Sequence, residues 1–331
     1  MPLRVSKERI TELVFAARAK RIVVVGDAML DVYLTGEVER ISPEAPVPVV
    51  RVRERRHALG GAANVAQNVV AMGCECRLVT AIGDDTAGVL MRAMLEAMTI
   101  HTDSLLTVRR PTTQKTRIVA RSQQLLRVDE EEDGDISGDE AQRLSLLVEH
   151  AVEHADALVL EDYNKGVLTH ALIARAIAAA RARHLPVVVD PKFNNFFSYG
   201  GATVFKPNRR ELESALGATV QLDDANALPK ALRRLGVEHL LLTLGEQGMA
   251  LISRQGEVGR IPTVAREVYD VVGAGDTVTA YLAAVLAAGG SASEAAVIAN
   301  VAAGIEVGKL GAATVSAEEV LQYVEEHALH S

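Results

Sequence analysis

The chain has 331 residues, 49% of them hydrophobic, and a net charge of -8 from 35 Lys plus Arg against 43 Asp plus Glu. That length and apolar content support a large buried core and exclude a disordered chain. The acidic balance excludes a general nucleic-acid binder, which needs a basic face, but not a protein that holds phosphorylated small molecules with a few placed cations and backbone N–H groups.

In chain order, residues 8–20 read as an amphipathic helix and 21–26 (RIVVVG) as a short buried strand ending in Gly. Helices are expected at 61–72, 84–97, 139–154, 172–183 and 222–235 and strands at 77–82, 157–160, 187–189 and 239–242, with the last two helices at 274–288 and 293–307. Strands alternating with helices imply parallel crossover units, hence an α/β fold with a doubly wound, mostly parallel sheet. Two stretches break the rhythm. Residues 32–56 carry Pro43, Pro46 and Pro48, which forbid a helix, and 112–129 alternate polar and apolar residues. Together they predict a small separate β-sheet, a lid standing off a single domain, with one face covering a ligand or a partner chain. The acidic run 130–133 reads as a solvated turn.

Cys74 and Cys76 are the two cysteines. With no His/Cys cluster beside them they read as structural, and their number implies a reducing compartment. No signal-like N-terminus and no apolar run of spanning length is present, so a cytoplasmic protein with no membrane partner is expected.

The strongest local signal is Asp270-Val271-Val272-Gly273-Ala274-Gly275-Asp276-Thr277, which opens an apolar helix. Gly273 and Gly275 let backbone approach a ligand, and a helix N-terminus adds a positive dipole end. An acid beside such an anion nest makes sense as a base that accepts a proton from an attacking hydroxyl while the amides hold a migrating phosphoryl group. On spacing alone, Asp276 reads equally well as a first-turn acid that stabilises the helix. Gly60-Gly61-Ala62-Ala63-Asn64 is a second Gly-rich turn into a helix, able to present N–H groups and the Asn64 amide to sugar hydroxyls, or simply a turn with close packing. Asp31 follows the first strand, where open α/β sheets bind ligands; a turn role is the alternative. The chain has no G-x-x-x-x-G-K-[ST], and Gly26-Asp27-Ala28-Met29-Leu30-Asp31 stands where a G-x-G-x-x-G would follow the first strand, which weakens P-loop and dinucleotide readings.

Gly60-Gly61-x-x-Asn64 early and Asp270-x-x-Gly273-Ala274-Gly275-Asp276-Thr277 late resemble the two signatures of the ribokinase family of carbohydrate kinases. Between them Asn208-Arg209-Arg210-Glu211 resembles that family's N-x-x-E motif, and Leu242-Thr243-Leu244-Gly245-Glu246-Gln247-Gly248 its nucleotide loop. Within the family, Arg40-Ile41-Ser42-Pro43-Glu44-Ala45-Pro46-Val47-Pro48, Gln123-Gln124-Leu125, Asp162-Tyr163-x-Lys165-Gly166 and Asp190-Pro191-Lys192 resemble the branch that phosphorylates the anomeric hydroxyl of D-glycero-β-D-manno-heptose 7-phosphate on the path to ADP-heptose and lipopolysaccharide. The H-x-G-H of a fused nucleotidyltransferase is lacking, so the resemblance implies the stand-alone kinase form.

The resemblance implies a ribokinase-like fold, ATP and Mg2+ as cofactors, and these roles. Asp276 is the base, and Gly273, Ala274 and Gly275 form the anion hole. Asp31, Gly60, Gly61, Asn64 and Gln124 hold the sugar. Lys192, Asn208, Glu211, Thr243, Gly245, Gly248, Asn300, Ala303 and Gly304 serve Mg–ATP, Glu211 through water on the metal. Asp270 stands where some relatives bind K+. The sugar's own phosphate needs cations that the family motifs do not fix. Lys115, Arg117, Arg121 and Arg127 are the candidates, since 115, 117 and 121 share one face of an extended strand, although a charge-defended edge strand would look the same. Related kinases pair through such a lid, and the apolar Val49, Val50 and Val52 imply a homodimer. The rivals are another sugar or sugar-phosphate acceptor on the same fold, and a non-catalytic sugar-phosphate-binding protein.

Overall fold

The computed structural model describes residues 3–121, 123–222, 227–265, 268–309, 311 and 313–327. In chain order the elements are α1 (Lys7–Ala17), β1 (Arg21–Gly26), β2 (Ala28–Ile41), β3 (Pro48–Gly61), α2 (Ala62–Ala71), β4 (Glu75–Gly83), α3 (Thr86–Ala97), β5 (Leu105–Val108), β6 (Gln114–Ala120), β7 (Gln123–Glu130) and α4 (Gly138–Val152). There follow β8 (Ala157–Glu161), α5 (His170–Ala182), β9 (Val187–Asp190), β10 (Val204–Phe205), α6 (Arg209–Leu216), α7 (Ala227–Leu235), β11 (His239–Thr243), β12 (Met249–Ser253), β13 (Val258–Ile261), α8 (Ala274–Ala287), α9 (Ala292–Glu306) and α10 (Ala317–Glu326).

Nine strands form one sheet in the order β13-β12-β11-β10-β9-β8-β1-β4-β5. All neighbours are parallel except β11-β12 and β12-β13. Strand β1 shows why the sheet is wound on both faces. Its side chains alternate, and both sets are apolar: Ile22 and Val24 enter a core formed with α1, α2, α3, α8, α9 and α10, whereas Val23 and Val25 enter a second core formed with α4, α5, α6 and α7.

The rhythm-breaking stretches form the small sheet, in the order β3-β2-β6-β7, with β2 and β6 parallel and the other pairs antiparallel. Its first hairpin is longer than expected, beginning at Ala28 directly after β1 and ending at Gly61, just before α2. The turn with Pro43 and Pro46 joins its two long strands, and Pro48 begins β3. Expectation and structure differ elsewhere too. A further helix, α10, follows the two expected to be last, and α6 and the antiparallel β12-β13 pair were not foreseen. These elements are short, and their apolar residues are too few to fix a period. The helix expected at 222–235 begins at Ala227; residues 223–226 lie outside the described residues.

Candidate active site

The first turn of α8 is the centre of the site. Gly273 adopts φ 100°, a conformation that glycine enters without strain, and this swings the chain from its loop onto the helix axis. The first-turn N–H groups of a helix have no intrahelical partner, and among the described residues no side chain caps those of α8, so its positive end is open. Ala274 and Gly275 line a cavity of about 640 Å³. Gly275 has space around it: a Cβ there would lie 3.6 Å from Lys206 Nζ and 3.9 Å from Asp190 Oδ2. The open amides and the Lys206 ammonium therefore flank the same spot.

Asp276 is the next residue and is 6% exposed. Asn64, in α2, donates from Nδ2 to its Oδ2 at 2.5 Å, and the Tyr163 hydroxyl donates to Oδ1 at 3.2 Å. Thr277 donates to Asn68 Oδ1 at 3.1 Å, a second tie between α8 and α2. Burial pushes the Asp276 carboxyl up to about 6; the Asn64 hydrogen bond opposes this, the Asp190 charge adds to it, and Lys206 and Tyr163 pull the other way. A carboxylate so tuned is ionised at neutral pH yet basic enough to take up a proton.

Beneath it, the carboxyl edges of neighbouring strands deliver more charge. Glu161 ends β8, Asp190 ends β9 and Lys206 follows β10. Lys206 Nζ pairs with Asp190 Oδ2 at 2.8 Å, both side chains almost fully buried. One oxygen each of Glu161, Asp190 and Asp276 lie within 4.8 Å of one another. Sequence reasoning gave Glu161, Tyr163, Asp190 and Lys206 no role. The signal that could have found the acids is their position: each closes an apolar run (ALVLE, VVVD) at the edge where open α/β sheets bind ligands.

The cavity gathers most of the residues expected to serve a nucleotide: Asn208, Thr243, Gly245, Gly248, Asn300, Ala303 and Gly304 all line it. Asn300 is fixed by donating to the Pro262 carbonyl at 2.9 Å. Gly304 must be small, since a Cβ there would come within 2.5 Å of Val264 Cγ2. Val268 and Val271 add an apolar rim, both exposed. Glu211 and Lys192 are not among the lining residues. Asn208 and Glu211 form a reciprocal cap at the start of α6, each side chain accepting from the other's backbone N–H at 2.8 Å. The other Glu211 oxygen meets Lys192 Nζ at 2.8 Å, and that ammonium lies 4.9 Å from the Tyr163 ring centre.

On the other side of α8 stands the small sheet. Gly60 and Gly61 close β3, paired with Met29 and Ala28, rather than forming a free turn. Gly60 makes room for Asp31: a Cβ would sit 2.7 Å from its Oδ2. Register places Asp31 beside Lys115 and Tyr33 beside Arg117. Arg117 Nη1 donates to Asp31 Oδ1 at 2.5 Å, and the Arg117 and Arg56 guanidinium groups lie 5.3 and 4.4 Å from the Tyr33 ring centre. Lys115 reaches Glu131 at 3.9 Å.

Several expectations are corrected here. Arg121 does not share the face of 115 and 117: β6 ends at Ala120, and Arg121 turns the chain with φ 52°. Arg127 pairs with Asp129 at 2.8 Å, and it and Gln124 are exposed. The Asn64 amide is engaged with Asp276. The acidic run is not a plain solvated turn, because Lys165 Nζ bridges Glu131 at 2.7 Å and Asp133 at 2.6 Å.

Asp270 accepts from the Val272 N–H at 3.0 Å and donates its own N–H to the Val307 carbonyl. Near it Glu306 is wholly buried, and among the described residues no donor meets its carboxyl oxygens in close hydrogen-bond geometry, although the Ala313 N–H is directed toward them. Burial first, then the charges of Asp270 and Asp276, push that carboxyl up to about 8.

Among the described residues, no helix is long and apolar enough to cross a membrane. Similarity to known proteins agrees with the geometry. Residues 19–319 match the pfkB family carbohydrate kinase model. The bifunctional protein HldE of Pelobacter propionicus is 46% identical over 315 residues, covering 93% of this chain and 64% of its own length. That of Rhodospirillum rubrum is 45% identical over 319 residues, with coverage of 95% and 64%. The chain thus spans a little under two thirds of these relatives. Among solved structures, Arabidopsis thaliana ribokinase complexed with ribose and ATP aligns over 93% of this chain and 99% of its own at TM-score 0.73 and 23% identity. Escherichia coli phosphofructokinase-2 in complex with potassium aligns over 92% and 99% at TM-score 0.73 and 18% identity. Their likeness shows a shared ribokinase-like α/β fold with a large, mostly parallel sheet and a small second sheet. The chain belongs to the pfkB family of carbohydrate kinases.

Proposed function

We propose that this chain transfers the terminal phosphoryl group of ATP to the anomeric hydroxyl of D-glycero-β-D-manno-heptose 7-phosphate, giving the 1,7-bisphosphate, with Asp276 as the base. The observation that carries the chemistry is the pairing of a buried carboxylate, held up to about 6, with the uncapped start of α8. The acceptor hydroxyl gives its proton to Asp276. The amides of Gly273, Ala274 and Gly275, with Lys206 beside them, stabilise the charge spread over the migrating group. No covalent enzyme intermediate is needed.

The nucleotide occupies the cavity. Its apolar rim suits a base, and its inner end at Gly275 suits the terminal phosphate. Mg2+ bound with the nucleotide supplies charge neutralisation; the Glu211 carboxylate, fixed by Asn208 and Lys192 at the cavity edge, offers the hard oxygen donor that ion prefers, through water. A monovalent cation such as K+ would fit beside Asp270, where the buried Glu306 carboxyl, held protonated at neutral pH by burial and the nearby charges, would ionise against such an ion.

The heptose reading rests on the sequence segments that resemble that branch, on the bifunctional HldE relatives, and on a cationic sugar side. There Lys115 and Arg117 are only partly exposed and face the same sheet surface as Asp31. We read the small sheet as a lid on one kinase domain that closes over the sugar and excludes water, and as the surface through which two copies pair. An ADP-release assay with heptose 7-phosphate, other sugar phosphates and nucleosides tests the proposal. ADP release with the heptose 7-phosphate at far higher kcat/KM than with the others is the expected result. A preference for another sugar phosphate moves the substrate but keeps the kinase, and no ADP release with any acceptor leaves a non-catalytic binding protein.

A further inference from the structure

We propose that Glu161 is a positioning residue that holds a proton at neutral pH: a neutral carboxylic acid set between Asp190 and Asp276, which lets both of those remain ionised. Asp190 then serves Lys206, and Asp276 serves the acceptor hydroxyl. The proposal rests on the reading of Asp276 as the base.

Glu161 is 0% exposed, and among the described residues neither of its carboxyl oxygens meets a hydrogen-bond donor. A buried carboxylate that keeps its charge without partners is strongly destabilising. Every cation that faces it is committed elsewhere. Lys206 is paired with Asp190 at 2.8 Å, and Lys192 is paired with Glu211 at 2.8 Å. The phenols that feel its charge are committed too: Tyr163 donates to Asp276 at 3.2 Å and Tyr199 to Asp162 at 2.7 Å.

An ionised Glu161 would therefore add a third negative charge to oxygens already within 4.8 Å of one another. Carboxylates crowded in a desolvated site relieve this by keeping a proton. Asp276 has two donors and Asp190 has an ammonium, so the proton belongs to the group with neither. Burial, followed by the charges of Asp190 and Asp276, indeed pushes the Glu161 carboxyl well above the usual range, against the smaller pull of Lys206 and Lys192. Once protonated, Glu161 gains an O–H of its own to direct at one of its two anionic neighbours. Its role is indirect, exerted through Asp190 and Asp276.

Two variants and two readouts test this. Infrared spectra of the nucleotide-free protein, taken about two pH units above the Asp276 value so that Asp276 is ionised, should show in the difference between wild type and Glu161→Gln the carbonyl stretch of a protonated carboxyl, over and above any band from Glu306 that both share. This holds whatever the acceptor sugar is, and even if Asp276 is not the base. In kinetics, Glu161→Gln replaces a neutral acid with a neutral amide, so the acid limb of kcat should stay where the wild type has it. Glu161→Leu, which removes the donor, should lower kcat about tenfold while leaving both KM values within about twofold, a split that an effect on binding would not give. If Glu161 were an anion, losing its charge would lower the Asp276 value and move the acid limb of the Gln variant down by about one unit. That shift, a missing infrared band, or saturable Mn2+ binding to the nucleotide-free wild type that Glu161→Gln abolishes would each overturn the proposal.

Discussion

Asn64 and Asp276 lie 212 residues apart in the chain, and the Asn64 amide donates to the Asp276 carboxylate at 2.5 Å. The contact joins the end of the small sheet to the start of α8, because Asn64 follows Gly60 and Gly61 by one turn of α2. Any movement that re-aims α2 therefore re-aims the Asp276 carboxylate. The Asn64 bond also opposes the effect of burial on Asp276, which keeps that carboxylate ionised at neutral pH without stripping it of basicity.

Asp276→Asn should fold normally and lose at least about 100-fold in kcat, the low end for removal of a general base. Steady-state ADP release and thermal unfolding measure the two halves of the prediction. Near-normal turnover would remove Asp276 from its role.

The pH dependence follows from the same group. As pH falls through about 6 Asp276 gains a proton, so kcat/KM should drop along an acid limb centred there. Stability runs the other way. The folded-state value lies above the ordinary 3.8, so the folded chain binds this proton more tightly. That contribution is present below about 4 and lost as pH rises through about 6, by roughly 3 kcal/mol at most for a shift of this size. Denaturant titrations should find Asp276→Asn gaining stability relative to wild type between those two pH values; a constant difference would show that burial does not strain the base.

Gly275→Ala separates fold from function. Gly275 lies outside the left-handed region, and an added methyl would meet Lys206 and Asp190 only at ordinary contact distance. Folding should be unaffected. The methyl would nevertheless stand where the migrating group must approach the helix amides, so kcat should fall at least about tenfold with little change in melting temperature. Gly273→Ala differs in kind: at φ 100° a side chain is strained by about 1 kcal/mol or more, and stability should drop as well.

What was legible in the sequence was local. The Gly-Ala-Gly-Asp run marks a helix start, with Asp276 open on spacing alone between a base and a first-turn acid, and a Val-rich strand such as β1 announces a sheet covered on both sides. Seven of the residues assigned to a nucleotide through resemblance meet around one cavity. Glu161, Asp190 and Lys206 were silent because each stands at the end of a different short strand, and only the lateral order β10-β9-β8 brings their side chains together. Arg121 failed for the opposite reason: alternation was carried one residue past the point where the chain turns.

Arg117 is the candidate phosphate ligand tied to Asp31; Lys115 stands beside it on the same face, and Arg127 stands opposite it but is paired with Asp129. Arg117→Ala should raise KM for the sugar phosphate about tenfold or more, since it removes both a cation and the group that holds Asp31, and should leave KM for ATP nearly unchanged. Arg121→Ala and Arg127→Ala, in a turn and an exposed pair, should change it less than about twofold. Equal effects at all three positions would return the assignment to non-specific charge.

The outer face of the small sheet makes the last case. Strand alternation turns Asp31, Lys115 and Arg117 to one surface and leaves Leu34, Ile118, Leu126 and Val128 on the other. Near its root this second surface packs into the core through Leu30, Val32 and Leu34, but farther out Leu126 is 55% and Val128 43% exposed. Apolar side chains on a sheet face without a helix call for cover, and a second copy supplies it symmetrically. Light scattering at about micromolar concentration, the range for a stable interface, should give twice the chain mass, and Leu126→Lys with Val128→Glu should halve it. Because the same strands carry the sugar-side cations on their opposite surface, the monomer should lose affinity for the sugar phosphate while keeping that for ATP. A wild-type monomer, or a double variant that stays dimeric, would place the interface elsewhere.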